Sequence, residues 1–339
     1  MFSFASGKWF MKKKTVIIPI FIPEMACGHQ CVYCNQRKIT GVNQAPLPEE
    51  VAKFIQERLL QIPSETQQLQ IAFFGGNFTG IPLDEQSAYL DVAQYFIDNE
   101  RVDSIRISTR PDYISEDALQ FLKKYSVRNI ELGTQSMCDD VLRQAGRGHT
   151  IEDTIKAAAL IKQHDFILGL QMMTGLPGDT AEKTLFTASE IVRLGATETR
   201  IYPLLVFRET ALFDMYQNGA YSPLTVQETI ENLVPVVRMF EDAKVKILRI
   251  GLHPSEDLLG GEMVAGPWHP AIRQMIYSQV WNSIIKENIS DNQQLIFKVS
   301  TEQFPNAIGF RKINSNEFAN IQFKADKSIT GMNYEIDHC

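Results

Sequence analysis

Between residues 16 and 243, short apolar runs alternate with amphipathic segments six times, and few folds accept that order. The apolar runs cover residues 16–22, 69–74, 104–108, 129–135, 166–173 and 199–206 and read as strands. The segments that follow carry apolar residues at helical spacing, as at Val51, Phe54, Ile55, Leu59 and Ile62 in 49–62, a helix opened by Pro48. Comparable helices are expected over 84–97, 116–125, 151–162, 181–194 and 226–243. Strand-helix units in series pair in parallel through right-handed crossovers, so the expected fold is α/β, a partial (β/α)6 TIM-type barrel. A Rossmann sheet is the alternative, but no Gly-x-Gly-x-x-Gly follows any of the strands. One more strand, 245–250, closes the flank.

After that the regularity weakens. Residues 253–270 are rich in Gly, Pro and His, a helix is expected over 271–285, and the short runs 295–299 and 319–323 suggest a small C-terminal α+β extension. The expected division is an N-terminal tail at 1–14, the barrel at 15–252 and the extension at 253–339. Lys12, Lys13 and Lys14 before the first apolar run resemble a secretory signal, but that run is short and broken by Pro19. Translation is expected to begin at Met11, and no stretch is long enough to span a bilayer.

Barrel enzymes carry their chemistry on the loops after the strands. Reading those ends here collects a cysteine loop, Gly75-Gly76-Asn77, Ser108-Thr109-Arg110, Glu131 with Gln135, residues 172–178, and Tyr202. Three of the five cysteines, Cys27, Cys31 and Cys34, follow the first strand at the spacing Cys-x3-Cys-x2-Cys. Such clustering is no disulfide framework; it points to metal binding in a reducing compartment, so a cytoplasmic protein is expected. Three thiolates fit a 4Fe-4S cluster with one iron left without a protein ligand. Zinc held by the same cysteines and His29 is the other reading. A net charge of −7 argues against a protein that coats nucleic acid electrostatically, although a local basic strip fits within an acidic average.

The motif Cys27-x3-Cys31-x2-Cys34, with Tyr33 before the last cysteine, resembles the radical S-adenosylmethionine superfamily, over residues 15–252. The resemblance implies a 4Fe-4S cluster whose open iron binds S-adenosylmethionine, reductive cleavage to a 5'-deoxyadenosyl radical, and an external electron donor of flavodoxin or ferredoxin type. Gly75 and Gly76, with Asn77, match the glycine pair that approaches the cofactor's amino group. Ser108 to Asp112, Glu131 to Ser136, Arg147 to Thr150 and Tyr202 to Val206 resemble the radical half of the elongator catalytic subunit family, which modifies tRNA. The chain stops about where that family's acetyltransferase domain would begin, and its cysteine spacing is shorter. Residues 175–180 resemble a turn of oxygen-independent coproporphyrinogen oxidases, which keeps a small-molecule substrate open beside RNA. A cluster or zinc module without turnover is the non-enzymatic alternative.

Glu131 and Gln135, two alternations apart on one strand, are expected to share a face and meet the cofactor. Arg110 is expected to meet the cofactor carboxylate or to pair with Asp112. Thr150 and Asp153 read as a capping box, with His149 beside them. His253, Glu262 and His269 lie in a loop expected to cover the substrate, and Cys138 reads as a small buried filler or a thiol at the mouth.

Overall fold

The computed structural model describes residues 15–22, 27–28, 30–35, 44–63, 68–99, 101–252, 260–289 and 294–338. Lys12 to Lys14, Met11, His29, His253 and Cys339 lie outside the described residues.

Seven parallel strands form the main sheet, in the order β1 (Thr15–Phe21), β2 (Gln68–Phe74), β3 (Ser104–Thr109), β4 (Val127–Gln135), β5 (Ile167–Thr174), β6 (Glu198–Pro203) and β8 (Lys246–Ile250). Each strand pairs with the next one in space in parallel, from β1 with β2 to β6 with β8. This is the curled half-barrel that the alternation predicts, with all the strand ends that carry unusual residues on one side. The strands are apolar on the face toward the helices and polar on the other. Ile105 and Ile107 alternate with Arg106 on β3, and Ile130 and Leu132 with Glu131 on β4, all buried.

The helices close the outer face for reasons visible in their sequences. In α1 (Pro48–Gln61), proline starts the first turn and Leu47 N–H donates to Glu50 Oε2 at 2.8 Å. Its buried stripe is Val51, Ile55 and Leu59. α2 (Leu83–Asp98) and α3 (Glu116–Leu122) follow; α3 ends three residues before its expected end, in a turn over 123–125. Two short helices that periodicity did not reveal are α4 (Asp139–Gln144) and, after β6, α7 (Ala211–Gln217). The Thr150–Asp153 box opens α5 (Ile151–Gln163), with Asp153 N–H donating to Thr150 Oγ1 at 3.3 Å and Thr150 N–H to Asp153 Oδ2 at 2.8 Å. Thr180 caps α6 (Ala181–Arg193), and a Thr225–Glu228 box opens α8 (Val226–Asp242).

The run expected as one strand over 199–206 is two. Pro203 ends β6, because proline cannot donate to a ladder, and β7 (Val206–Phe207) pairs antiparallel with β9 (Met263–Ala265). The C-terminal part begins with α9 (Ile272–Asn288), which is apolar on more than one side. Ile272, Ile276, Tyr277 and Val280 belong to the barrel core, whereas Trp281 and Ile285 belong to a second core with Phe297, Val299 and Ile321. That core lies on a three-stranded sheet: β10 (Leu295–Ser300) between a parallel β11 (Ile321–Asp326) and an antiparallel β12 (Tyr334–His338). The short helices α10 (Phe304–Ile308) and α11 (Ile313–Glu317) complete it. No helix among the described residues is long and apolar enough to cross a membrane.

Candidate active site

The cysteine loop is held in place by backbone from two distant parts of the chain. Val32 N–H donates to Ala145 C=O at 3.0 Å, and Val32 C=O accepts from Leu212 N–H at 2.7 Å. The loop also turns on itself, Cys34 N–H donating to Cys31 C=O at 3.0 Å. Around it lie Val141, Ala145, Leu176, Leu204, Val206 and Leu212, all buried and apolar, so Cys31 is only 5% exposed while Cys27 and Cys34 are half-buried. Water is largely excluded from Cys31, which strengthens charge interactions at its sulfur.

Arg147 is the cation of the cradle. Its Nη1 donates to Cys31 Sγ at 3.5 Å and its Nη2 to Gly133 C=O at 2.8 Å, while its buried Nε has no hydrogen-bond partner. The Tyr33 hydroxyl is likewise buried without a partner, and burial, then the charge of Cys31, holds the phenol well above its ordinary pKa. Tyr33 therefore stays neutral beside the thiols.

Among the described residues no group of three ligating side chains is placed to hold a single metal ion. A tetrahedral zinc site needs its ligands converging on one point. A cubane cluster does not, because each thiolate binds a different iron. The donor set, the apolar surroundings of Cys31 and the adjacent guanidinium fit a 4Fe-4S cluster.

At the end of β2, Gly75 (φ +101°) and Gly76 (φ +51°) turn the chain. A Cβ at Gly75 would lie 2.3 Å from the Ile22 carbonyl oxygen, so glycine is needed there to let β2 pass close to the chain leading to the cysteines. Asn77 Oδ1 accepts from Thr109 Oγ1 at 2.7 Å and from Arg110 N–H at 3.3 Å, locking the ends of β2 and β3 together. Arg110 makes the Asp112 pair that its sequence allowed, through Nε at 2.9 Å and Nη2 at 2.8 Å, and its buried Nη1 has no partner.

His149 lies among these groups, 3% exposed, with neither ring nitrogen hydrogen-bonded. Burial, then the Arg147 charge, depresses its pKa to about 3, so the ring is neutral. Gln135 ends β4 at φ +64°, a strained conformation for a residue with a side chain. A register shift between Gly133 and Gln135 interrupts the ladder, but the Gln135 side chain stays on the face that Glu131 and Gly133 share, its Oε1 accepting from Gln171 Nε2 at 3.3 Å. A Cβ at Gly133 would sit 2.7 Å from Arg147 Nη2 and 2.9 Å from Gln135 Nε2, which puts Gln135 beside Arg147.

Glu131 lies deeper in the barrel, within an ion network. Its Oε1 accepts from Arg106 Nη1 at 2.8 Å, and its Oε2 from Arg200 Nε at 2.6 Å. Burial raises its pKa, but Arg200 and Arg106 outweigh that and hold the carboxyl below the ordinary value. The structure thus gathers Cys31, Tyr33, Arg147 and Gln135 in one place, Asn77, Arg110 and His149 beside them, and Glu131 below. Sequence reasoning had Arg147 only as part of a motif, with no role, and missed Arg106 and Arg200. Charged residues inside apolar strands were the available signal for the last two.

The Radical SAM superfamily model matches residues 23–191, and the Radical SAM C-terminal domain matches residues 197–282. The chain is 30% identical over 198 residues to the tRNA uridine(34) acetyltransferase of Methanocaldococcus infernus, covering 52% of this chain and 36% of that protein. An uncharacterised protein of Methanocaldococcus jannaschii is 29% identical over 240 residues, covering 67% and 70%. Human Elongator complex protein 3 is 24% identical over 251 residues, covering 62% and 46%. The chain thus spans less than half the length of the acetyltransferase and the Elongator protein. The structure of archaeal Methanocaldococcus infernus Elp3 shares the fold, with a TM-score of 0.61 at 21% identity over 80% of this chain and 63% of that one. With both family models matched in succession over this half-barrel, the chain belongs to the radical SAM superfamily of enzymes.

Proposed function

We propose that Cys27, Cys31 and Cys34 hold a 4Fe-4S cluster with S-adenosylmethionine on its fourth iron, and that the substrate is RNA, a tRNA uridine. One observation carries the cofactor reading: Cys31 is buried in an apolar cradle with the Arg147 guanidinium 3.5 Å from its sulfur. When bound and reduced by an external flavodoxin- or ferredoxin-type donor, the cluster supplies the electron that splits S-adenosylmethionine into methionine and a 5'-deoxyadenosyl radical.

The chain's own part is to hold charge and exclude water. Arg147 balances the negative charge that three thiolates bring into a low-dielectric site. Tyr33, kept protonated, is a neutral donor beside them. Gly75, Gly76 and Asn77 shape the wall at the end of β2, and Arg110 and Gln135 offer polar atoms to the bound cofactor. Glu131 acts through Arg200 by fixing its guanidinium. The tRNA reading is supported by the archaeal relatives named tRNA uridine(34) acetyltransferase.

Anaerobic reconstitution with iron and sulfide tests the cofactor reading. The expected result is a brown protein with about four irons per chain that forms 5'-deoxyadenosine under dithionite. Cys31→Ala is expected to lose the iron, and iron content equal to wild type removes the ligand assignment. Mass spectrometry of tRNA nucleosides from a deletion strain tests the substrate: one modified uridine disappears, whereas an unchanged profile favours a small molecule.

A further inference from the structure

Among the described residues, the barrel interior holds one more guanidinium than its carboxylates engage. Arg106 Nη1 bonds both Glu131 at 2.8 Å and Glu198 at 2.7 Å. Arg200 bonds Glu131 and lies over the Phe74 ring, 4.9 Å from its centroid. Glu198 also accepts from Asn129 Nδ2 at 3.0 Å, with Lys246 Nζ at 4.0 Å. Arg249 on β8 is half-buried, and no carboxylate among the described residues pairs with it.

The register places this arginine deliberately. β6 and β8 pair at Thr199 with Ile247 and next at Arg200 with Arg249, so β8 carries one extra residue, Leu248. Without that bulge Arg200 would face Leu248. The bulge instead sets two guanidinia side by side, a cross-strand arrangement that costs stability. Burial, with Arg200 and Arg273 nearby, lowers the Arg249 pKa against the opposite pull of Tyr202. Tyr202, two residues beyond Arg200 on β6, is the other group beside Arg249, and burial keeps its phenol protonated. Arg249 and the Tyr202 hydroxyl, which also meets Arg200, are thus two donors with no carboxylate among the described residues between them. The other two arginines of this layer have a carboxylate partner, and the half-buried guanidinium of Arg249 is left open to an anion.

We propose that Arg249, with the Tyr202 hydroxyl beside it, anchors an oxyanion of the substrate, a phosphate or a carboxylate, inside the barrel. The proposal rests on the substrate reading above: for RNA, the oxyanion is the phosphate of the nucleotide to be modified.

The test footprints the reconstituted wild-type protein with phenylglyoxal and reads Arg249 modification by peptide mass spectrometry, with UMP, uridine, succinate or S-adenosylmethionine as probes. Protection by UMP and not by uridine is the expected result. Protection by succinate and not by UMP keeps the oxyanion role of Arg249 and overturns the RNA reading. Protection by S-adenosylmethionine alone, or by no probe, overturns the proposal. Equilibrium binding adds a second readout: Arg249→Gln is expected to weaken UMP roughly tenfold or more, the size of one lost charge-assisted contact, with S-adenosylmethionine affinity unchanged. Arg249→Lys retains part of the UMP affinity. Wild-type UMP affinity in Arg249→Gln refutes the anchor.

Discussion

Arg147 joins the cysteine loop to β4 through one guanidinium, which touches Cys31 Sγ and the Gly133 carbonyl. Arg147→Ala removes a charge-assisted contact worth about 1.5–3 kcal/mol, so iron retention against a chelator is expected to fall roughly ten- to a hundredfold. Unchanged retention would show that the contact has no electrostatic role. His149 next to it gives a pH prediction. Its folded pKa of about 3 lies below the unfolded value of 6.5, so the unfolded chain takes up a proton that the folded chain refuses. Stability therefore falls as pH drops from about 6.5 toward 3, and His149→Gln is expected to flatten that fall in urea titrations. An imidazole that titrates near its ordinary value in NMR spectra would contradict this. Neither role was legible beforehand. The Arg147 segment reads locally as a helix cap, and it is one, but its partner Cys31 is 116 residues away in the chain.

Strand ends decide the site more than the strands do. The alternation made β1 to β6 readable, because each short run rich in apolar residues is followed by a segment with helical apolar spacing. It did not show where the register shifts, before Gln135 and at the bulge that pairs Arg200 with Arg249. The glycine pair was legible by type and position, and the structure supplies a packing reason for Gly75, its approach to Ile22. Gly75→Ala forces a side chain into a left-handed backbone against a carbonyl that cannot yield. It is expected to cost about 2 kcal/mol or more, read as a lower urea midpoint with an unchanged slope. A neutral substitution would mean that β2 can draw back from β1.

On the scale of the molecule, α9 ties the extension to the barrel, since its two ends lie in two cores. The fold class was readable because its strand-helix units are local, while β12, in which Tyr334 and Ile336 alternate with Glu335 and Asp337, is too short to stand out as an apolar run. Trp281, fully buried against Phe297 and Tyr334, is the residue on which the second core closes. Trp281→Ala is expected to cost about 3–5 kcal/mol. Because α9 is shared, circular dichroism and tryptophan fluorescence should report one coincident unfolding transition in the wild type. Separate transitions would mean that the extension folds independently. The clamp on Val32 has one more consequence, for the order in which the protein comes into being. Its cysteines leave the ribosome early, but the backbone that encloses them, at Ala145 and Leu212, arrives much later. Throughout that interval the three thiols of the nascent chain lack the backbone clamp that holds their loop in the folded protein.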